Sequence, residues 1–238
     1  MLISRRAFLP RALAAGAGAA LVAAGDTARA QPRPSEFVFA RLRYASGDWD
    51  YNPKVAANVL NSLVEYTNIP VYRDEVVIPA DAPDLAAFPF LFMTGHLLVR
   101  FSDRERRGLR AFVEQGGLLF SDDCNHDIDG LYARSFEQEM RATFGKAGEM
   151  PKIPASHPLY RCFFTFDTPP TTAHELNGWG DDLVHDYLRA VEHDGRLGVL
   201  YSNKDYGCEW DYDWKNKRFR REDNTKLAVN IAVYAMTS

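Results

Sequence analysis

The 238-residue chain contains none of the short motifs that mark common nucleotide and hydrolase sites. There is no Walker-type phosphate loop, no G-x-G-x-x-G, no G-x-S-x-G and no zinc-finger spacing. Such motifs place phosphate groups on a helix N-terminus, a serine on a strained turn, or thiolates around zinc. Their absence sets aside a nucleotide-driven or serine-hydrolase role.

Cysteine is scarce, with only Cys124, Cys162 and Cys208 in the whole chain. An odd count does not describe a disulfide framework, so at most one pair can form and at least one thiol stays free. Whether Cys162 and Cys208 pair is left open by the sequence.

The first 30 residues have the pattern of an export signal. Ser4-Arg5-Arg6-Ala7-Phe8-Leu9 is a twin-arginine string, and a mildly apolar run follows it to about Ala24. That run is too short and too weakly apolar to remain in a bilayer as an anchor. Ala28-Arg29-Ala30 provides the small-x-small cleavage pattern. We therefore predict a periplasmic protein without a transmembrane anchor, cleaved after Ala30, with residues 31–238 forming a single domain.

Basic residues are fewer than acidic ones once the signal is removed. The remaining chain would carry 24 basic and 31 acidic residues. Nucleic acid is therefore not an expected partner, since its phosphates need clustered lysine and arginine. The one dense basic run, "KNKRFRRED" from Lys215, is followed by acids and is interpreted as a solvated hairpin.

Strand-like and helix-like segments alternate in the first half of the chain. An alternating first strand is predicted at "EFVFARLRY", a second strand near "IPVYRDEVVI", and buried strands at "FPFLFMTGH" and "LLFSDD". Asn52 is expected to cap the first helix, and a capping box from Ser102 to Glu105 opens the second, which ends at Gly116-Gly117. A third helix is expected from about Gly130. The alternation predicts an α/β fold with a doubly wound, mainly parallel, flavodoxin-like sheet.

The second half has a different pattern. An Asp194-Gly195 turn between two strand-like runs predicts a β-hairpin elaboration towards the C-terminus. In "CEWDYDWKNKRF", aromatic and acidic residues alternate with period two, which predicts a strand that either folds its rings onto the body or exposes them to a sugar or a partner protein. The last helix is expected from about Glu222.

Polar residues are concentrated where the predicted parallel strands end. Ligands of doubly wound sheets bind beyond the carboxyl ends of the strands, so these ends should share one edge and border a common pocket. Three of the residues there, His96, Asp122 and His126, are also candidate metal ligands, because imidazole and carboxylate groups suit divalent ions. The alternative to a ligand or metal site is a purely structural role, in which each side chain caps a helix or binds loop amides. The candidate ligand-binding residues are Asp48, Trp49, His96, Asp122, Asp123, His126 and Asp205.

The order of several segments resembles the bacterial family known as domain of unknown function 4159. These segments are "RLRYASGDWDYNP", the capped helix that runs through Gly-Gly into "LLFSDDC", "IPASHPLYRC", "GRLGVLYSNKD" and "NIAVYAM". The resemblance implies a class I glutamine-amidotransferase-like fold and no established activity. It also implies company with an ATPase and with membrane-bound assembly components.

Cys124 is the candidate nucleophile that this resemblance suggests, because active amidotransferases carry a cysteine at a similar strand-to-helix elbow. Here, however, the cysteine is flanked by Asp122, Asp123, Asn125 and His126 in place of the small residues that a strained elbow needs. Neighbouring carboxylates would also suppress the thiolate. We therefore expect a non-catalytic domain that binds a ligand or a membrane-bound or periplasmic assembly. The alternative is a cysteine-dependent or metal-assisted hydrolase acting on a carbohydrate or peptidoglycan fragment. The sequence identifies no cofactor.

Overall fold

The structure is a computed structural model that describes residues 32–33, 35–212 and 222–238. The predicted export signal and the basic run from Lys215 lie outside these residues. Six strands form one sheet in the order β2-β1-β3-β4-β6-β5. The strands are β1 (Ala40–Arg43), β2 (Val76–Pro79), β3 (Phe90–Gly95), β4 (Leu118–Asp123), β5 (Arg189–His193) and β6 (Arg196–Ser202).

Six α-helices accompany the sheet in the described part of the chain. They are α1 (Val55–Tyr66), α2 (Asp103–Glu114), α3 (Leu131–Phe144), α4 (Ala173–Leu176), α5 (Tyr206–Asp211) and α6 (Glu222–Thr237). None of the described helices is both long enough and apolar enough to cross a membrane.

The sheet is covered on both faces because its central strands are apolar on both sides. In β3 and β4 every residue is buried, and successive side chains point to opposite faces. Phe92 and Phe120 belong to the core cluster that includes α1 and α6, whereas Leu91 and Leu119 belong to the cluster that includes α2 and α3. The predicted flavodoxin-like, doubly wound α/β architecture is therefore confirmed.

The parallel arrangement fixes the direction of the strand ends. Strands β1, β2, β3, β4 and β6 pair in parallel, with Gly95 opposite Asp123 and Asp122 opposite Ser202. The predicted hairpin at Asp194-Gly195 is confirmed: β5 pairs antiparallel with β6, and both turn residues have positive φ. The hairpin completes the main sheet, because β6 lies beside β4 and β5 forms the edge.

Two local predictions are wrong. Asn52 does not cap α1, because its φ is 58° and its side chain contacts Cys124, while Lys54 occupies the N-cap position. The alternating "CEWDYDW" stretch is not a strand where it is described. Instead, Tyr206–Asp211 is helix α5, capped by the Asp205 side chain, with the rings of Tyr206 and Trp210 stacked one turn apart. The rest of that stretch, from Asp213, lies outside the described residues.

The capping box at the start of α2 yields the first testable prediction. Ser102 accepts a hydrogen bond from the backbone N–H of Glu105, and the Glu105 carboxylate accepts one from the N–H of Ser102. Replacing Ser102 with Ala removes one partner and should lower the free energy of unfolding by about 1 kcal/mol, measured by urea denaturation. Ser102→Asp is the matched control and should retain most of the stability, because aspartate also caps helices; equal losses in both variants would contradict the role of the cap.

Candidate functional site

The loops that follow the parallel strands meet at one edge of the sheet. Backbone N–H groups of His96 and Leu97, after β3, donate to the carboxylate of Asp48, after β1. The Asn125 amide, after β4, donates to the His96 carbonyl at 2.9 Å. Gly207, after β6, donates to the Asp122 carboxylate at 2.6 Å. The structure therefore brings the sequence-predicted strand ends together at the carboxyl edge.

Asp48 and His96 form a half-buried pair at this edge. The Asp48 Oδ2 and His96 Nδ1 atoms are 2.8 Å apart, and the Tyr51 ring packs edge-on against the imidazole with centroids 4.1 Å apart. Although partial burial tends to raise the pKa of Asp48, the hydrogen bonds from His96 and Leu97 outweigh it and lower that pKa. Gly95 is required here, because a Cβ atom at this position would lie 2.6 Å from the Asp48 carboxylate and 2.6 Å from the Tyr44 hydroxyl.

Asp122 is the last residue but one of β4 and is completely buried beneath α5. Its Oδ2 accepts from Gly207, while its Oδ1 has no hydrogen-bond partner among the described residues. Burial, followed by the nearby charge of Asp205, raises the pKa of Asp122 well above its usual range. The close approach explains the glycine in α5, because a Cβ at Gly207 would lie 2.8 Å from Asn52 Nδ2 and 3.1 Å from Asp122 Oδ2.

Cys124 is buried among polar partners rather than presented at an elbow. Its Sγ accepts from Asn52 Nδ2 at 3.0 Å and lies 3.0 Å from the Thr94 hydroxyl. A hydrogen bond with Cys208, then burial, then the charge of Asp205 raise the pKa of the Cys124 thiol well above its usual value. The three cysteines are all free thiols, so Cys162 and Cys208 do not pair.

Around the predicted Asp205, after β6, lie two residues that the sequence did not predict as part of the site, His174 and Glu209. Asp205 adopts a left-handed conformation, caps α5, and forms an ion pair with His174 in which Nδ1 and Oδ2 are 2.6 Å apart. The hydrogen bond that His174 donates to the Asp205 carboxylate raises the pKa of His174. Glu209, also buried, accepts from the backbone N–H of Ala173 at the start of α4. The available signal was the Asp-x-x-Cys-Glu run, which places a helix cap four residues before the buried carboxylate of Glu209.

Asp123 faces the opposite side of β4 from Asp122. It accepts hydrogen bonds from the Asn125 N–H at 2.9 Å and from the Tyr201 hydroxyl at 3.4 Å. Burial is the largest influence and raises the pKa of Asp123 to about 7. Both carboxyl groups at the end of β4 therefore hold their protons more tightly than an exposed aspartate does.

His126 turns away from the other predicted metal ligands. It has a φ of 49° and is completely buried, with Nδ1 against the Asn203 carbonyl and Nε2 against the Leu183 carbonyl. Its neighbours are Asp181 and His185, which lie in a loop that the sequence analysis did not select.

The predicted metal set of His96, Asp122 and His126 does not come together, since each of the three has its own separate partners. In the described part of the chain, two other groups bring ligand-type atoms within 4.8 Å of one another: Cys124 with Asp205 and Cys208, and His126 with Asp181 and His185.

Trp49 does not form a stacking surface beside Asp48. Its side chain is partly buried against the core cluster on the α2 and α3 face, and its carbonyl accepts from the Arg41 guanidinium. The expected common pocket with Cys124 at its floor is not observed among the described cavities. A cavity of about 450 Å³ lies elsewhere, at residues 164–171 with Asp223 and Lys226. The edge is packed because most of its described polar groups bind one another, with Asp122 Oδ1 as an exception.

A match over residues 38–236 shows that the chain belongs to the family described as a domain of unknown function, DUF4159. No curated protein gives a significant match.

Among solved structures, the chain is similar to the exo-beta-1,4-mannosidase Op5Man5 from Opitutaceae bacterium strain TAV5, with 15% sequence identity and a TM-score of 0.39. The similarity covers 83% of this chain and 36% of that chain, so this protein spans about a third of the length of the mannosidase. A similarity this distant carries no argument about activity.

The buried Asp123 predicts a specific pH dependence of stability. The unfolded chain releases this proton near the ordinary value of 3.8, whereas the folded chain holds it to about 7, so Asp123 lowers stability as pH rises between these values. Asp123→Asn should therefore stabilise the protein above about pH 7, by on the order of 3 kcal/mol, and have little effect near pH 4. Urea denaturation across this range, with the exposed Asp186→Asn as control, measures it; a pH-independent difference would contradict the assignment.

The buried thiol predicts slow alkylation. Only the thiolate reacts with iodoacetamide, and a raised pKa keeps Cys124 protonated near neutral pH. In the native protein, Cys124 should therefore remain unmodified at neutral pH and react only in strong alkali or after unfolding. Peptide mass spectrometry locates the adduct, and Cys124→Ser removes it. Rapid labelling of native Cys124 with a midpoint near neutral pH would contradict this prediction and restore a nucleophilic role.

Proposed function

We propose that the protein is an exported periplasmic domain without catalytic turnover, which binds a protein partner through the carboxyl edge of an amidotransferase-like sheet. The export step rests on the twin-arginine pattern and the cleavage pattern ending at Ala30. The expected partner is a membrane-bound or periplasmic assembly. The observation that carries the proposal is the apolar surface on the loops of that edge.

The chemistry of the edge supports binding rather than covalent catalysis. Cys124 is only 7% exposed and its thiol is held by Asn52 and Thr94. The two histidines nearest in sequence are engaged elsewhere, His96 with Asp48 and His126 with main-chain carbonyls. A thiol without an available base and with a raised pKa is a poor nucleophile, which disfavours the cysteine-dependent hydrolase.

Large apolar side chains are exposed on the loops after β3 and β4 and on the segment at residues 179–184. Trp179 is 64% exposed, and Val184 is 57% exposed. Buried anchors of protein interfaces are typically tryptophan and other large side chains, and exposed apolar patches on a folded domain mark such sites. We call this surface the rim patch; its members are Leu97, Leu98, Ile128, Leu131, Trp179, Leu183 and Val184.

Hydrogen bonds between the loops hold the rim patch in place. The Asn125 amide joins the loop after β4 to the loop after β3 through the His96 carbonyl. Asp181 donates from its N–H to the His126 carbonyl at 2.9 Å and accepts from the Ile128 N–H. Loops fixed before association lose little conformational freedom on binding, which favours a specific interface.

The charge of the chain supports a protein partner over an anionic membrane. Without its signal, the chain would have 24 basic and 31 acidic residues, and an acidic domain is repelled by anionic lipid. The apolar patch and the acidic balance together fit a partner surface that is apolar at its centre and basic around it.

The test is photo-crosslinking in cells that export the protein. A photoreactive residue replaces Trp179 in one variant, Val184 in a second, and the exposed Phe163, outside the rim patch, in a control. We expect the same partner adduct from positions 179 and 184 and none from position 163. With the identified partner purified, Trp179→Ala should weaken binding by at least about tenfold, and Phe163→Ala should not.

Two outcomes would contradict the proposal. Adducts that are equal at all three positions would mean nonspecific contact. Turnover of a substrate by the purified protein, lost in Cys124→Ser, would replace binding with catalysis.

A further inference from the structure

We propose that His126, Asp181, His185 and the main-chain carbonyl of Leu183 bind a divalent transition-metal ion, for which Zn²⁺ is the best fit. This inference does not depend on any partner, although Leu183 belongs to both groups, with its side chain in the rim patch and its carbonyl in the metal site. It concerns the loop at residues 178–185 and His126, which lies three residues after the end of β4. We call these four groups the loop metal site.

The spacing of the four groups matches the edges of a coordination shell. His126 Nε2 is 2.9 Å from the Leu183 carbonyl oxygen and 3.6 Å from Asp181 Oδ1, and His185 Nε2 is 2.9 Å from Asp181 Oδ2. Zinc binds nitrogen and oxygen at about 2.1 Å, so ligands about 90° to 110° apart lie roughly 3.0 to 3.4 Å from each other. Two imidazoles with a carboxylate also have the chemistry that zinc prefers.

The hydrogen-bonding needs of His126 point to a cation. Both ring nitrogens face main-chain carbonyl oxygens, Nδ1 towards Asn203 and Nε2 towards Leu183, and a carbonyl can only accept. A neutral imidazole has only one N–H. Without a metal ion, the other nitrogen of a neutral ring would point its lone pair at a carbonyl oxygen, which is repulsive. A metal ion at Nε2 removes this conflict, because the lone pair and the Leu183 oxygen then bind the same ion.

The surroundings of the loop metal site orient its ligands. The Nδ1–H of His126 donates to the Asn203 carbonyl, which is the partner arrangement that fixes metal-binding imidazoles. The Asp181 carboxylate accepts from the N–H groups of Ile128 and Leu183. Gly180 allows the loop to approach, because a Cβ there would lie 2.4 Å from the carbonyl carbon of His126.

The burial of the ligands indicates a structural ion rather than a catalytic one. His126 is completely buried, His185 is 4% exposed, and three side chains with one carbonyl fill a tetrahedral shell. A closed site leaves no position for a substrate or an activated water. The ion would therefore fasten the loop at residues 178–185 to the end of β4.

The second group of ligand-type atoms is a weaker candidate. Cys124, Asp205 and Cys208 already have protein partners, namely Asn52 and Thr94 for Cys124 and His174 for Asp205. The hydrogen bond with Cys208 and burial raise the pKa of the Cys124 thiol; in Cys208 the same hydrogen bond lowers the pKa, but burial and the charge of Asp205 outweigh it. Both raised pKa values oppose the deprotonation that metal binding requires.

The test uses Zn²⁺ and Co²⁺ on the full exported chain. Protein purified without chelator is analysed for metal, stripped with a chelator, and titrated with Zn²⁺ while binding heat and Tm are recorded. We expect one Zn²⁺ per chain, a higher Tm in its presence, and affinity that increases with pH as the imidazole protons are displaced. Co²⁺ should give a tetrahedral visible spectrum without a thiolate charge-transfer band.

Matched variants make the outcome decisive. Asp181→Asn keeps the shape of the side chain, and His185→Gln keeps a donor for Asp181; each should weaken Zn²⁺ binding at least about tenfold while the stripped proteins remain folded. The exposed Asp186→Asn and the Cys208→Ser variant should bind as the wild type does. A wild-type protein that neither contains nor binds Zn²⁺, equal binding by Asp181→Asn and the wild type, or a thiolate band with Co²⁺ would overturn the proposal.

Discussion

The central strand β4 ends in two buried carboxyl groups, and the carboxyl edge of the sheet depends on how they are satisfied. Asp122 draws the first turn of α5 onto the strand through the Gly207 N–H, and Asp123 receives the Asn125 N–H and the Tyr201 hydroxyl. A buried polar group without a partner costs more than an ordinary hydrogen bond contributes. The loops around β4 thus take shapes that bring main-chain N–H groups to these carboxyl oxygens. Few of those N–H groups and oxygens then remain free to bind a ligand.

The side chains at this edge therefore form two layers, an inner polar one and an outer apolar one. The inner layer holds acids, thiols and imidazoles that bind one another, including the fully buried pair of Lys204 and Glu175. The outer layer presents leucine, isoleucine, valine and tryptophan to solvent. A conventional active site has the reverse arrangement, with reactive groups opening into a cleft and apolar groups around them. This arrangement supports the proposal that the edge contacts another macromolecule.

Much of the fold could be predicted from local patterns. The capping box at Ser102, the buried runs of β3 and β4, and the Asp194-Gly195 turn each carry their signal within a few residues. The site was harder, because side-chain direction at the strand ends depends on backbone conformations that sequence does not mark. Asn52, His126 and Asp205 all have positive φ although none is glycine, and each turns its side chain towards an unexpected partner. Asp181 and His185 were missed because their partner, His126, is 55 residues or more away in the chain.

The two edges of the sheet limit how this domain can associate. Strand β2 has four residues and ends in Pro79, which lacks an N–H donor. Strand β5 contains a bulge between Val191 and Glu192, and residues 151–153 lie along its outer side through hydrogen bonds to Leu188 and Ala190. Neither edge offers a long, regular ladder to an incoming strand. The sheet is thus protected from growth by strand addition, which keeps folded copies of the chain from joining edge to edge.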